Sequence, residues 1–118
     1  MSTMRKHNKR NALHIERDGK VLSWTWEEYY QSAKTFAKAV ISTGATQRSG
    51  IAIMGYNSPE WIFTFTGGLM ANSLVTGIYI TNEPEACMYQ INHSESEIVV
   101  VETATHLARI RANLDKMP

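Results

Sequence analysis

The chain has 118 residues, enough for one domain at the usual scale of about 150 residues per domain and too few for a large multidomain enzyme. Hydrophobic residues make up 43% and charged residues 19%, with seven Gly and three Pro, which describes a globular chain and excludes a disordered or fibrous one. Twelve Lys and Arg against eleven Asp and Glu leave a net charge of +1, no broad field for nucleic acid or an anionic membrane, and the single Cys87 excludes a disulfide framework or a multi-thiolate zinc site while fitting a reducing compartment.

Residues 1–10 carry four basic residues and no apolar stretch after them, so they read as a loose basic arm rather than a secretory signal. From Asn11 to Trp24 two extended runs surround Asp18-Gly19, a strong hairpin signal. Thr25 with Glu28 three residues on makes a capping box and starts a helix at Trp26. Its apolar stripe is Trp26, Tyr29, Tyr30, Ala33, Phe36, Ala37, Val40 and Ile41, with Glu27, Glu28, Gln31, Lys34 and Lys38 on the other side and Gly44 as the stop.

Gly50 to Met54 is a short apolar run suited to a buried strand, and Ser58-Pro59-Glu60 then opens a second helix through about Ala71. Leu74 to Ile80 reads as another buried strand. Asn82 and Glu85 repeat the capping spacing, and Pro84 opens a third helix that ends near His93. Four β-branched residues, Ile98 to Val101, make the cleanest strand. Thr103 caps a last helix with Leu107, Ile110, Leu114 and Met117 on one stripe and Arg111 spaced to pair with Asp115. Strands that alternate with helices imply an α/β fold, a hairpin followed by mostly parallel strands. The segment Trp61 to Asn82 is uncharged and long enough to span a bilayer, but its Thr, Gly, Asn and Ser content, with Gly67-Gly68 adjacent, favours a buried helix and strand over a transmembrane helix.

A search for chemistry returns little. There is no Walker loop, dinucleotide fingerprint or metal-spaced histidine pair. The turn from Met54 through Ser58 could hold an anion at a helix start, but a tight turn with a capping Ser explains it as well. Cys87 and His93 sit about 240° apart around a helix, so Cys87 reads as a packed residue and not an activated thiolate. His7, His14, His93 and His106 are scattered and none is expected to bind a metal. Glu83 and Glu85 fit a helix start, and Trp24, Trp26, Tyr29 and Tyr30 have helical spacing without interleaved basic residues, which makes them core instead of a base-stacking platform.

The stretch Gly55-Tyr56-Asn57-Ser58-Pro59-Glu60-Trp61, then Thr76-Gly77-Ile78-Tyr79 and Pro84-Glu85-Ala86-Cys87, resembles the N-terminal part of long-chain acyl-CoA synthetases of the bubblegum type, members of the AMP-forming adenylating superfamily. The similarity reaches back to Leu22-Ser23-Trp24-Thr25-Trp26-Glu27-Glu28-Tyr29-Tyr30 and forward to Ile98-Val99-Val100-Val101-Glu102, covering Ala12 to Pro118. The resemblance implies an incomplete part of the large domain, residues 11–118, of an enzyme that uses ATP and Mg²⁺ to activate a fatty acid as an acyl-adenylate and then transfers it to CoA. The family's phosphate loop, nucleotide pocket and C-terminal Lys have no counterpart in this sequence. The resemblance therefore assigns no catalytic, cofactor-binding or metal-binding residue, and the chain alone is expected to be inactive and to hold none of these cofactors tightly. It further implies a cytoplasmic place, compatible with peripheral membrane association. The competing expectation is a non-catalytic interaction module that binds a partner through exposed apolar surface. On the resemblance, open strand edges are expected, with Val99, Val100 and Val101 as their most aggregation-prone run.

Overall fold

Residues 2–116 are described by the structure, a computed structural model. The expected hairpin forms from β1 (Asn11–Arg17) and β2 (Lys20–Thr25), antiparallel, with Ile15 opposite Leu22 and Arg17 opposite Lys20. Asp18 and Gly19 both take positive φ, 54° and 72°, as a two-residue turn that matches the strand twist requires. Thr25 then caps α2 (Trp26–Ser42). Its Oγ1 accepts from the Glu28 backbone N–H, while the Glu28 carboxylate accepts from the Thr25 N–H at 2.7 Å. That bond holds the Glu28 carboxyl below its ordinary pKa. The helix stops at Gly44, φ 77°.

The expectation of a loose arm at residues 1–10 gives way to a short helix, α1 (Ser2–His7), tied to the head of α2. The Trp26 N–H donates to the Arg10 carbonyl and the Glu27 N–H to the Asn8 carbonyl. These are two of the free amides that every helix start must place, and residues 8–10 supply the acceptors.

A parallel sheet follows in the order β4-β3-β5, built from β3 (Gly50–Met54), β4 (Leu74–Ile78) and β5 (Ser96–Val101). The crossovers are α3 (Pro59–Met70) and α4 (Pro84–His93), and α5 (Ala104–Arg111) follows β5. Every residue of β3 is buried, because helices cover both of its faces. Ile51 and Ile53 pack with Val40, Phe36, Trp61 and Phe65 on the α2/α3 side. Ala52 and Met54 pack with Cys87, Met88, Ile91 and Ile110 on the α4/α5 side. The α2 and α3 helices meet where Gly67 lies against the Ala33 carbonyl and the Phe36 ring; a Cβ at Gly67 would come 3.0 Å from that ring and closer to the carbonyl. Two small residues thus set the interhelical distance.

Several expectations are corrected. The β4 strand ends at Ile78 and is only partly buried: it forms an edge with Leu74 57% exposed, while Ile78 at its far end reaches the core. Ile41 is exposed although its spacing fits the stripe. Glu83, not Asn82, occupies the cap of α4, as Pro84 takes the first helical position. Asn82 instead donates from Nδ2 to Gln90. The α-helix α5 ends at Arg111, leaving Leu114 in a 3-10 turn (Leu114–Lys116) and exposed. The expected Arg111–Asp115 pair therefore does not form, and Met117 lies outside the described residues. Val99 and Val101 pack on the α4/α5 side and Val100 on the α2/α3 side, so the valine run is half-buried from both faces instead of bare. No described helix is long and apolar enough to cross a membrane.

The radius of gyration is 15.4 Å, against about 13.5 Å for a compact chain of this length. The excess reflects a broad molecule in which Leu69, Met70, Leu74 and Tyr79 remain exposed.

Candidate functional site

Parallel strands deliver their ligand sites at their carboxyl ends, where the loops leave the sheet. Here β3 and β5 end side by side, Met54 opposite Val101, so the residues that follow them, Gly55 and Glu102, become neighbours. The Glu102 carboxylate lies over Gly55 and accepts the Tyr56 backbone N–H at 2.8 Å, and the Glu102 N–H donates to the Met54 carbonyl. A cleft of about 420 Å³ opens there, within the range of small-molecule sites. Its floor is Ile53 and Val100, and one wall is the first two turns of α3 with Glu60, Trp61 and Thr64. The hairpin supplies the other wall. Arg17 reaches across to Glu60 in a bidentate pair, 3.0 and 3.1 Å, which raises the guanidinium pKa and lowers that of the Glu60 carboxyl. Trp24 meets Phe63 edge-on at 5.8 Å and Tyr29 meets Phe63 at 5.7 Å, so ring contacts seat the hairpin on α3 behind that ion pair. The aromatic cluster expected in the core is thus half-buried and serves as the seam between hairpin and helices. Tyr56, 66% exposed, stands between this cleft and a second concavity of about 630 Å³ at the end of β4, bordered by Trp61, Gly77 and Tyr79.

The reactive side chains on the cleft are two carboxylates, Glu60 and Glu102, and the hydroxyls of Tyr56, Ser58 and Thr64. No His, Cys or Lys lines it. The turn from Met54 through Ser58 would be the natural anion cradle, but its Tyr56 N–H is taken by the Glu102 carboxylate, and the Ser58 Oγ accepts the Trp61 N–H at 3.1 Å. A polyphosphate placed there would meet two carboxylates and one guanidinium already paired, so these residues do not fit the triphosphate of ATP. Among the described residues no group of three or more His, Cys, Asp or Glu side chains could hold a metal ion.

The other candidates fall elsewhere. Cys87, on α4, is fully buried, its thiol pKa pushed up by burial and partly offset by Arg109, and Sγ sits 3.6 Å from the Asn82 carbonyl. His93 stacks on Tyr89 at 5.5 Å. His7 and His14 are exposed, and His106 turns a buried Nδ1 toward no hydrogen-bond partner among the described residues. Glu83 and Glu85 stand at the start of α4. Reasoning from sequence missed the Arg17–Glu60 and Glu102–Tyr56 contacts, which join residues 43 and 46 apart. The second could have been found by noting that Gly55 and Glu102 each follow a strand of one parallel sheet.

Compared with known proteins, the chain is 36% identical over 105 residues to the long-chain-fatty-acid–CoA ligase ACSBG1 of Rattus norvegicus, an alignment covering 89% of this chain and 15% of that protein. It is 38% identical over 85 residues to the human ligase ACSBG2, covering 72% of this chain and 13% of the relative. The chain thus spans about 15% of the length of the first of these. The fold matches the anthranilate CoA ligase AuaEII, with a TM-score of 0.88 at 17% identity over 99% of this chain and 22% of the other. It also matches a fatty acyl-adenylate ligase from L. pneumophila, with a TM-score of 0.82 at 18% identity over 99% of this chain and 21% of the other. A family model described as AMP-binding enzyme matches residues 2–118, and with that match along nearly the whole sheet and hairpin the chain belongs to the AMP-binding enzyme family.

Proposed function

We propose that this chain forms the N-terminal part of the adenylating domain of a long-chain fatty acid–CoA ligase. In that reaction a fatty carboxylate attacks the α-phosphorus of ATP, pyrophosphate leaves, and the CoA thiol then displaces AMP from the acyl-adenylate to give the thioester. The observation that carries the reading is the 36% identity, over 105 residues, to a protein named for that activity. Within this reading residues 11–118 frame the active domain while ATP, Mg²⁺ and CoA are held by other parts; a cleft lined by the carboxylates of Glu60 and Glu102, with Arg17 already paired, is a poor seat for a triphosphate. A free-standing interaction module gains no support from the family match.

The test exchanges this chain for the matching 105 residues of the rat relative. The chimaera is expected to form palmitoyl-CoA with ATP and CoA within about tenfold of the parent. A chimaera that melts cooperatively yet makes no acyl-adenylate would overturn the reading. The chain by itself is expected to release AMP no faster than buffer.

A further inference from the structure

The hairpin is joined to the rest of the molecule unevenly. At its base the Trp24 ring lies against Phe63, and the Trp26 N–H just beyond β2 is held by the Arg10 carbonyl. Toward its tip every residue from Glu16 to Ser23 is exposed. Among the described residues no main-chain hydrogen bond joins residues 11–24 to α2, α3 or the parallel sheet. One ion pair ties the tip down, Arg17 with Glu60, and its side chains are themselves 44% and 59% exposed. Between base and tip lies a break in register: Asn11 faces Thr25 and Leu13 faces Trp24, so Ala12 is an extra residue without a partner. A bulge of this kind bends the strand where it sits. The cleft beside Arg17 opens where the chain changes direction in the sheet, since β3 leads to α3 on one face and β5 to α5 on the other. Such a crevice is where open parallel sheets take their ligands.

We propose that the hairpin is a hinged wall of this cleft: its tip swings about the bulge at Ala12, and the Arg17–Glu60 pair is the latch that holds it closed. Arg17 is the hairpin residue that lines the cleft, and Glu102 attracts it from the sheet side as Glu60 does from α3. Release breaks one exposed ion pair and uncovers almost no apolar surface, so the closed and open states lie close in free energy and exchange by thermal motion. The cross-strand ladder from Leu13–Trp24 to Arg17–Lys20 lies within the moving piece and stays intact. The Trp24–Phe63 contact sits beside the hinge and keeps the wall attached when the latch is off. The device controls entry to the cleft and stands whether or not the ligase reading does.

The experiment sets a reporter thiol on the cleft wall in the full chain with Thr64→Cys, a change of similar size at a residue 7% exposed, and follows its alkylation by iodoacetamide. Adding Arg17→Gln is expected to speed alkylation about fivefold, the scale of one well-formed exposed ion pair. Salt at about 0.5 M should speed the reporter chain in the same direction and leave the Arg17→Gln chain unchanged, because only the first has a latch to screen. The exchanged pair, Arg17→Glu with Glu60→Arg, should bring the rate back toward that of the reporter alone. Two controls separate a swinging wall from a melting one. Cys87, fully buried, should stay unreactive with and without Arg17→Gln, and hydrogen exchange of the β1–β2 ladder amides should remain within about twofold of the parent. An alkylation rate unmoved by Arg17→Gln, an exchanged pair that fails to slow it, or a parallel loss of protection at Cys87 or along the ladder would each overturn the proposal.

Discussion

The two ends of the parallel sheet are built from the same three strands and behave differently. At the amino end the connections lock into one another through the backbone. The Arg48 N–H donates to the Asn72 carbonyl, the Leu74 N–H to Ser49, and the Gly50 N–H to Glu95, while the Thr46 N–H reaches the Glu97 carboxylate at 2.8 Å. Arg48, Asn72 and Glu95 each take positive φ one or two positions before their strands. At the carboxyl end the loops part: one main-chain bond, from the Glu102 N–H to the Met54 carbonyl, and side-chain contacts cross the gap, and Tyr56 and Tyr79 face solvent. Backbone pairing leaves little room for exchange of residues, whereas an end held by side chains can change its chemistry without loss of the sheet. One end keeps the fold; the other is where a site can be built.

The largest effect should come from breaking the locked end. A Cβ at Gly50 would run into the Ser94 carbonyl and lie 2.7 Å from the Ser96 hydroxyl, contacts that include main chain and cannot swing aside. Gly50→Ala is expected to cost about 3 kcal/mol, read as a lower urea midpoint at unchanged slope. A midpoint equal to the parent's would show that the amino end yields.

The cap that joins hairpin to α2 stands outside both ends and calibrates them. Thr25→Ala should cost about 1 kcal/mol by leaving a first-turn amide without its acceptor, and Thr25→Ser much less. Identical midpoints for the Ala and Ser variants would contradict the capping role.

At the open end, Glu102→Ala removes one exposed hydrogen bond to the Tyr56 N–H and should cost only about 0.5 to 1 kcal/mol. The same change frees an amide in the turn between β3 and α3, so sulfate should stabilise the variant more than the parent in a thermal melt. A loss as large as that at Gly50 would erase the contrast between the ends.

The smallest effects are those of pH. Glu97 at the locked end is held low chiefly by the Thr46 N–H, and Glu60 at the open end chiefly by its hydrogen bond with Arg17. For a carboxyl whose folded pKa lies below its unfolded value, near 4.3, the stabilisation is present above that value and fades as pH falls through the lower, folded one. The stability difference between the parent and either Glu97→Gln or Glu60→Gln should therefore shrink as the medium is acidified from neutral. Added salt should reduce the Glu60 difference more than that at Glu97, because it screens an exposed ion pair more effectively than a hydrogen bond to backbone. Differences that grow toward acid pH would show the sign to be wrong.

The order of elements, the Asp18-Gly19 turn, the Thr25 and Thr103 caps, the Ser58 cap and the all-buried β3 were legible from the chain because each is a local matter of a few neighbouring residues. Family membership was legible too, since several short motifs recur in order. The tertiary structure alone decided that β4 is an edge, that the valines of β5 are covered from both sides, and that residues 2–10 hold a helix tied to α2. It alone brought Arg17 to Glu60 and Glu102 to Tyr56. The reason is physical: capping and turn preferences act over three or four residues of backbone, whereas exposure and long-range pairing depend on which strands become neighbours, a choice made by burial summed over the whole sheet.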